Sequence, residues 1–512
     1  VHTAQFSIGS GTKIAMEDAI TLSASIVRHG LTDGNIREAL SQYETDRKDV
    51  IARLQRTALV SLSWYENARR YNVLSPKQYA FNFLSRNKGV TYENLKLRDP
   101  VYGADINHWY SDLVRENQGF EIPLDNPPPP MFTPFSVGQL TLQNRIVVAP
   151  MCQYSAKDGT PTDWQLVHLG NFAKGGAGLV ITEMTNVSPE GRISHQCTGL
   201  YHSDHVPAWR RIVDFVHNET NSKICVQLGH AGRKASCNIG WVDGGAPLTN
   251  GKWQILAPSS IPFSPTSAIP KEMDRSDMDK VRDDYVRSAQ MAAEAGFDMI
   301  EFHGAHGYLL SSFISPISNV RTDNYGGSLE NRMRFPLEVL SAVRDVWPSE
   351  KPISVRISAE DWVGDRGNTG AEAVIIAKLF YDTGADIIHV SAGQTSSEQK
   401  PIYGRMFQTH LSEQVRLECG IPTMAVGNIT TPDQVNTILA AGRADLVTLA
   451  RPHLANPFFT LHAAAHYNWG GQVWPNQYLR GKDQAFKEAE AHNLRQKELL
   501  LANKPKNHSD EI

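Results

Sequence analysis

The chain has 512 residues, 41% hydrophobic and 20% charged, with 50 Lys and Arg against 54 Asp and Glu for a net charge of −4. That balance argues against nucleic acid or an anionic membrane surface as the main partner. No run reaches ~18 consecutive apolar residues, so no transmembrane helix is expected.

The five cysteines (Cys152, Cys197, Cys225, Cys237, Cys419) are odd in number, scattered, and form no Cys-x-x-Cys. Neither a disulfide framework nor a zinc site is expected, and a reducing cytoplasm fits. The start, Val1-His2-Thr3-Ala4-Gln5, lacks a basic segment followed by an apolar one, so no secretory signal is read. It begins with Val rather than Met, as a piece of a longer chain would.

Residues 1–124 read as a mainly helical, polar, Arg-rich domain. Near its start, Phe6-Ser7-Ile8-Gly9-Ser10-Gly11-Thr12 leads into Ala15-Met16-Glu17-Asp18-Ala19. A Gly/Ser loop opening a helix is either an anion or polar-ring site or a plain turn and cap. Residues 125–130 end in Pro127-Pro128-Pro129-Pro130 and predict an extended linker, because four prolines fit neither a helix nor a central strand.

Beyond the prolines, eight short β-branched runs alternate with helical patterns: Arg145–Met151, Gly178–Met184, Lys223–His230, Phe297–His303, Pro352–Ser358, Ala385–Ala392, Ile421–Asn428 and Ala444–Arg451. Continuous apolar runs of this length fit parallel strands buried on both faces. Eight such units over residues 131–470 predict an α/β fold, a TIM (β/α)8 barrel, with a doubly wound sheet as the alternative. Residues 471–512 are left as a C-terminal extension.

Nearly every run ends on a polar, Gly or reactive residue, and strand C-termini converge on a barrel's active-site face. The long connection Ala231–Asp277 belongs to that face as a lid or wall. His303-Gly304-Ala305-His306-Gly307-Tyr308 follows the fourth run. Two imidazoles there can act as paired donors beside a phenol that delivers a proton, or can merely satisfy local backbone groups. With no further ligands near them, no metal site is expected.

Gln227-Leu228-Gly229-His230 suits the edge of a planar heterocycle, because an amide both donates and accepts. Gly427-Asn428 and Ala450-Arg451 end the seventh and eighth runs, where barrels commonly hold phosphate. Cys152 at the end of the first run is either a buried thiol or a cofactor contact. Arg356, inside an apolar run, needs an anionic or electron-rich partner. Together these predict a phosphorylated cofactor lying across the barrel mouth.

On these residues, the stretch from about 131 to 481 resembles the Old Yellow Enzyme family of flavin-dependent ene-reductases. The resemblance rests on Asn144–Ser155, Gln227–Lys234, His303–Leu309, Ser315–Gly327 with Asn331-Arg332, and Gly442–Pro452. It implies non-covalent FMN, NAD(P)H as reductant, and an α,β-unsaturated carbonyl substrate. Ala149, Pro150, Met151 and Cys152 would lie against the isoalloxazine. Met184 stands where the family usually has Ala, narrowing the space beside the flavin. Gln227 would bond the pyrimidine edge, Arg356 would stabilise charge near N1, and Gly427, Asn428, Ala450 and Arg451 would cradle the phosphate. Ala450 replaces the usual Gly, which is acceptable if only its backbone N–H is used.

The resemblance also makes His303 and His306, with Tyr154 nearby, the holders of the substrate carbonyl, and Tyr308 the proton donor. Gln477-Tyr478-Leu479-Arg480-Gly481 looks like the family's arginine finger, with Arg480 reaching into a neighbouring subunit, so at least a homodimer is implied.

Residues 1 to about 120 resemble the C-terminal part of FAD-dependent aromatic-ring monooxygenases, on Phe6–Ala19 and Trp64–Tyr71. That domain order resembles the bifunctional salicylyl-CoA 5-hydroxylases and 2-aminobenzoyl-CoA monooxygenase/reductases. The leading expectation is therefore the reductase half of an aromatic acyl-CoA monooxygenase/reductase. FAD binding and hydroxylation are expected only if an upstream half is present. The alternatives are a hydroxylase whose barrel only supplies reducing equivalents, and a non-catalytic docking scaffold for an FAD-binding partner.

Overall fold

The eight apolar runs become eight parallel strands of a closed barrel in the computed structural model, which describes residues 2–502. In chain order these are β1 (Ile146–Val148), β2 (Leu179–Asn186), β3 (Lys223–Gly229), β4 (Met299–Gly304), β5 (Ile353–Ser358), β6 (Ile387–Ser391), β7 (Thr423–Ala425) and β8 (Leu446–Leu449). Each strand pairs with the next in sequence, and β8 closes on β1 through Val447↔Ile146 to Leu449↔Val148. Side chains on both faces are buried, so the strands need apolar residues throughout rather than an alternation.

Helices follow each strand and pack their apolar faces on the barrel. Their starts are written in the sequence. Thr162 with Gln165, Asp274 with Asp277 and Thr369 with Glu372 form reciprocal capping boxes at helices Asp163–Lys174, Arg275–Ala295 and Gly370–Asp382. Gly296 ends the second of these in a left-handed conformation (φ 95°) that glycine adopts without cost.

Two strands, β1 and β7, keep only three residues of their apolar runs. After Val148 and Ala425 the chain leaves the ladder, so Ala149–Met151 and Val426–Asn428 are freed to edge the mouth. The connection after β3 carries the short helix Gly240–Asp243 and a two-residue parallel pair, Leu256–Ala257 with Lys271–Glu272. At the opposite end, a hairpin (Phe135–Val137 with Leu140–Leu142) sets Phe135, Val137 and Leu142 against the lower interior layer of Val147, Leu179, Ile181 and Met299.

The chain divides into two compact units, one of residues up to Gly103 with Ala440–Gly442, the other of the remaining residues. The first is helical: Gly11–His29, Asp33–Glu66, Pro76–Leu84 and Tyr92–Arg98. Inside it Trp64 stacks on Tyr71 at 4.7 Å, and buried Arg47 donates to Asp18 at 2.8 Å. Helix Pro100–Gln118 runs across the boundary in sequence. Pro128, Pro129 and Pro130 are buried, and Pro130 opens a single 3-10 turn, Pro130–Phe132. No described helix is long and apolar enough to cross a membrane.

Candidate active site

β4 delivers the central side chains. Successive inward positions place Glu301 and then His303 on the barrel interior, with His306 and Tyr308 on the turn that follows. His306 and Gly307 are consecutive left-handed residues (φ 63° and 71°), a tight reversal that returns the second imidazole toward the first. The rings meet edge to face, with His303 Nε2 3.3 Å from His306 Nδ1. The Tyr308 ring lies edge-on to His303 with centroids 4.8 Å apart.

Two contacts set the electrostatics of this pair. The Ala305 N–H reaches His303 Nδ1 at 3.3 Å, which leaves Nε2 to carry the proton. His306 Nε2 meets Ser391 Oγ at 2.8 Å. Burial pushes both imidazoles well below their ordinary pKa, and the Arg356 cation adds to the effect. Both are therefore neutral N–H donors at neutral pH. Burial likewise pushes the Tyr308 hydroxyl well above its ordinary value, so it keeps its proton.

The loop after β1 forms one wall. Ala149 is buried, while Pro150, Met151 and Cys152 are half-buried at the mouth. Burial pushes the Cys152 thiol up, so it is a neutral thiol. Tyr154, in a left-handed conformation (φ 48°), packs with Cys152, Tyr308 and Trp253 around Met184 and Cys197. Met184 takes its space from Gly229, where a Cβ would stand 2.6 Å from Met184 Cγ. Glu183, legible in the sequence only as a polar residue at the end of the second run, holds this loop: it accepts from the Gln153 backbone N–H at 2.9 Å and from Gln165 Nε2 at 3.1 Å. Burial raises its carboxyl to about 7.

The other half of the mouth is a cavity of about 910 Å³ bordered by Arg356, Gly427, Asn428, Ala450 and Arg451. Gly427 adopts φ 118° and an added Cβ would meet the Gln408 side chain at 2.7 Å, so the chain here is bare by necessity. Ala450 has φ −105°, which any L-residue tolerates, so no glycine is needed. The Nε of Arg356 is buried without a protein partner and borders the cavity. A bare backbone cradle and an unpartnered buried guanidinium nitrogen fit a phosphorylated, electron-accepting ring ligand such as FMN.

Below the mouth lies a polar layer that sequence reasoning found only in part. Gln227 Nε2 donates to Glu301 Oε1 at 2.8 Å, while Ser354 Oγ and His389 Nδ1 meet Glu301 Oε2, each at 2.9 Å. The signal was available: Glu301 interrupts Met299-Ile300-Phe302 as Arg356 interrupts its own run. Lys234, which the sequence offers with Arg192 and Lys252 only as a basic residue for a CoA phosphate, ties loops together here. Its ammonium donates to the carbonyls of His306 at 2.9 Å and Gln394 at 3.1 Å. Arg480 is exposed in the first turn of helix Leu479–Ala502 and is not part of this cluster. No group of three potential metal ligands occurs among the described residues.

Residues 130–469 match the NADH:flavin oxidoreductase / NADH oxidase family. The chain is 42% identical over 353 residues to an NADPH dehydrogenase of Geobacillus thermodenitrificans, covering 69% of this chain and 98% of that protein. It is 41% identical over 335 residues to one from Clostridium acetobutylicum, covering 65% and 94%. Among solved structures it is similar to morphinone reductase (28% identity, TM-score 0.55, 65% of this chain and 89% of that one). It is also similar to a 2-naphthoyl-CoA reductase bound to 2-naphthoyl-CoA (25% identity, TM-score 0.58, 64% of this chain). This chain spans about half of that reductase, 51%. With a barrel mouth suited to a phosphorylated flavin and these relatives, the chain belongs to the NADH:flavin oxidoreductase / NADH oxidase family and is an FMN-binding, NAD(P)H-using enzyme of the Old Yellow Enzyme type.

Proposed function

We propose that the protein is an ene-reductase acting on an α,β-unsaturated carbonyl, the reductase half of an aromatic acyl-CoA monooxygenase/reductase. The observation that carries the reduction is the pair of neutral imidazoles converging beside a protonated phenol at the barrel mouth. When bound, FMN supplies the two-electron chemistry that links NAD(P)H oxidation to reduction of the substrate double bond.

The protein's own groups do the rest. His303 Nε2 and His306 Nδ1 would receive the substrate carbonyl oxygen between them, with Tyr154 alongside, and take up its growing negative charge. Ser391 Oγ–H donating to His306 Nε2 would keep the proton on Nδ1, where the substrate needs it. Tyr308 would deliver a proton to the α-carbon. Gln227 would bond the pyrimidine edge of the flavin, Arg356 would stabilise negative charge near N1, and Gly427, Asn428, Ala450 and Arg451 would hold the phosphate. Ala149, Pro150, Met151, Cys152 and Met184 would line the ring, with Cys152 tuning its potential. Arg480 would serve a neighbouring subunit's site, making the working unit at least a homodimer.

The acyl-CoA assignment draws on the helical unit's resemblance to aromatic monooxygenases and on the likeness to the 2-naphthoyl-CoA reductase. Residues 1–124 would act as the end of a monooxygenase whose FAD-binding half lies elsewhere. The test is a His303→Ala/His306→Ala double variant assayed with a cyclic enone and with an aromatic enoyl-CoA thioester. Loss of turnover by 10²-fold or more with FMN retained supports the catalytic roles; unchanged turnover removes them. Preference for the thioester over the free enone in the unmodified protein supports the CoA reading, and indifference removes it.

A further inference from the structure

Inside a barrel, interior layers are normally filled by branched apolar side chains. The lower layer here obeys that rule, with Val147, Leu179, Ile181, Cys225, Met299, Ile387, Met424 and Leu446. The layer immediately under the mouth does not. It holds Gln227, Glu301, Ser354 and His389, and the last three are 0% exposed. They come from four consecutive strands and lie in matched register, Gln227 opposite Glu301 and Glu301 opposite Ser354, with His389 opposite Arg356.

A buried carboxylate and imidazole are poor stabilisers. Apolar residues of similar volume usually do as well or better, because two polar groups must be stripped of water. Their geometry is nonetheless complete around the carboxylate: three donors, at 2.8, 2.9 and 2.9 Å, converge on its two oxygens. Burial alone would push the Glu301 carboxyl up, but the His389 ring, the Arg356 cation and the Ser354 hydroxyl hold it below the ordinary range. Burial keeps His389 below its own ordinary value and hence neutral. The layer therefore contains one carboxylate, with the Arg356 guanidinium two residues beyond Ser354 on its strand.

We propose that Glu301 is a positioning residue for the bound flavin: it commits the Gln227 amide nitrogen downward, so that the amide oxygen faces the cofactor, and it is the buried counter-charge that offsets Arg356. The inference rests on the assignment of Gln227 and Arg356 to the FMN ring. An amide has one acceptor end and one donor end, and a carboxylate can only accept. With Nε2 turned to Glu301 at 2.8 Å, the oxygen is the end of the Gln227 amide turned away from Glu301, and it suits a ring N–H. Ser354 and His389 then act on the carboxylate, keeping both of its oxygens in place. Removing the negative charge leaves Arg356 uncompensated, which favours the electron-rich reduced ring over the oxidised one.

The experiment compares the FMN-loaded wild type with Glu301→Gln, which preserves size and removes the charge. The readouts are the two-electron midpoint potential of the bound FMN, its dissociation constant by flavin fluorescence, and the melting temperature. The expected result is a higher potential, equivalent to at least a tenfold shift in the oxidised-to-reduced ratio or about 30 mV, together with weaker FMN binding. A bound FMN whose potential and affinity both match wild type overturns the inference while leaving the ene-reductase reading intact. A wild-type chain that takes up no FMN overturns both.

If Glu301→Gln does not fold, Ser354→Ala carries the test. It keeps the charge and removes one donor to it. The reduced-minus-oxidised infrared spectrum of the wild-type holoprotein should contain a carboxylate band that Ser354→Ala displaces. A band absent in the wild type, or unmoved in the variant, contradicts the proposal.

Discussion

His303 Nε2 and His306 Nδ1 stand 3.3 Å apart in a pocket that keeps both rings uncharged. One of these nitrogens donates to the other at this separation, and a substrate carbonyl oxygen would take the accepting nitrogen's place. Because both pKa values are pulled well below 6.5, raising the pH through the usual histidine range should change nothing at this pair. Nitrogen-15 NMR of the imidazoles at about pH 6 should show neutral rings in the FMN-loaded protein. Imidazolium signals there would contradict the account.

Tyr308 keeps its proton because burial opposes the phenolate. Tyr308→Phe preserves the ring that packs edge-on to His303 and removes the hydroxyl with its proton. The expected outcome is a 10²- to 10⁴-fold drop in kcat for enone reduction, the range of a lost general acid, with little change in ligand affinity. Stopped-flow separation of the two half-reactions is the check: flavin reduction by NADPH should be unaffected.

Lys234 joins two loops by their carbonyls, and both carbonyls belong to left-handed residues, His306 (φ 63°) and Gln394 (φ 64°). Such backbone needs outside support. Lys234→Met removes both donors and the cation lying over the Phe263 ring, so the stability loss should be about 1–3 kcal/mol with a raised KM. Burial lowers this ammonium to about 8. The KM difference between wild type and variant should therefore shrink as pH rises past about 8, where the wild-type charge is lost. A pH-independent difference would place the effect in packing alone.

Glu183 supplies a stability prediction with a definite sign. Its carboxyl is raised from 4.5 to about 7 in the folded protein, so between those values the folded state holds a proton that the unfolded chain has released. Its contribution is thus most favourable at low pH and declines as pH rises through that window. The stability gap between wild type and Glu183→Gln should move in the variant's favour by roughly 3 kcal/mol from pH 4.5 to 8. Denaturant melts at several pH values measure it, and a constant gap would show that Glu183 does not titrate in this range.

Gly427→Ala should act on the cofactor site as well as on the fold. The residue has φ 118° and its Cβ would press on Gln408 at 2.7 Å. FMN affinity should fall by tenfold or more, since a strained backbone costs of order 1–3 kcal/mol. The melting temperature should fall in the flavin-free protein as well, because the strain is there with or without the cofactor.

The barrel was legible because strands buried on both faces must be apolar throughout, and the runs from Arg145–Met151 to Ala444–Arg451 stand out at regular spacing. The hairpin Phe135–Leu142 was not, since two three-residue strands give too little alternation to recognise. The prolines read as an extended spacer, yet Pro128–Pro130 are buried, because proline's apolar ring packs as readily as it extends. At the mouth, residues ending strands on both sides were identifiable by their polarity. What Glu183, Glu301 and Lys234 hold was not, because their partners are backbone atoms and distant side chains that only the closed barrel brings within reach.

The most direct test of the whole account is the visible spectrum of the purified chain, with heat release and chromatography of the chromophore. The account predicts FMN, one per chain, bleached by NADPH and reoxidised by a cyclic enone. FAD in its place, or a protein that takes up no flavin when FMN is added, would contradict it.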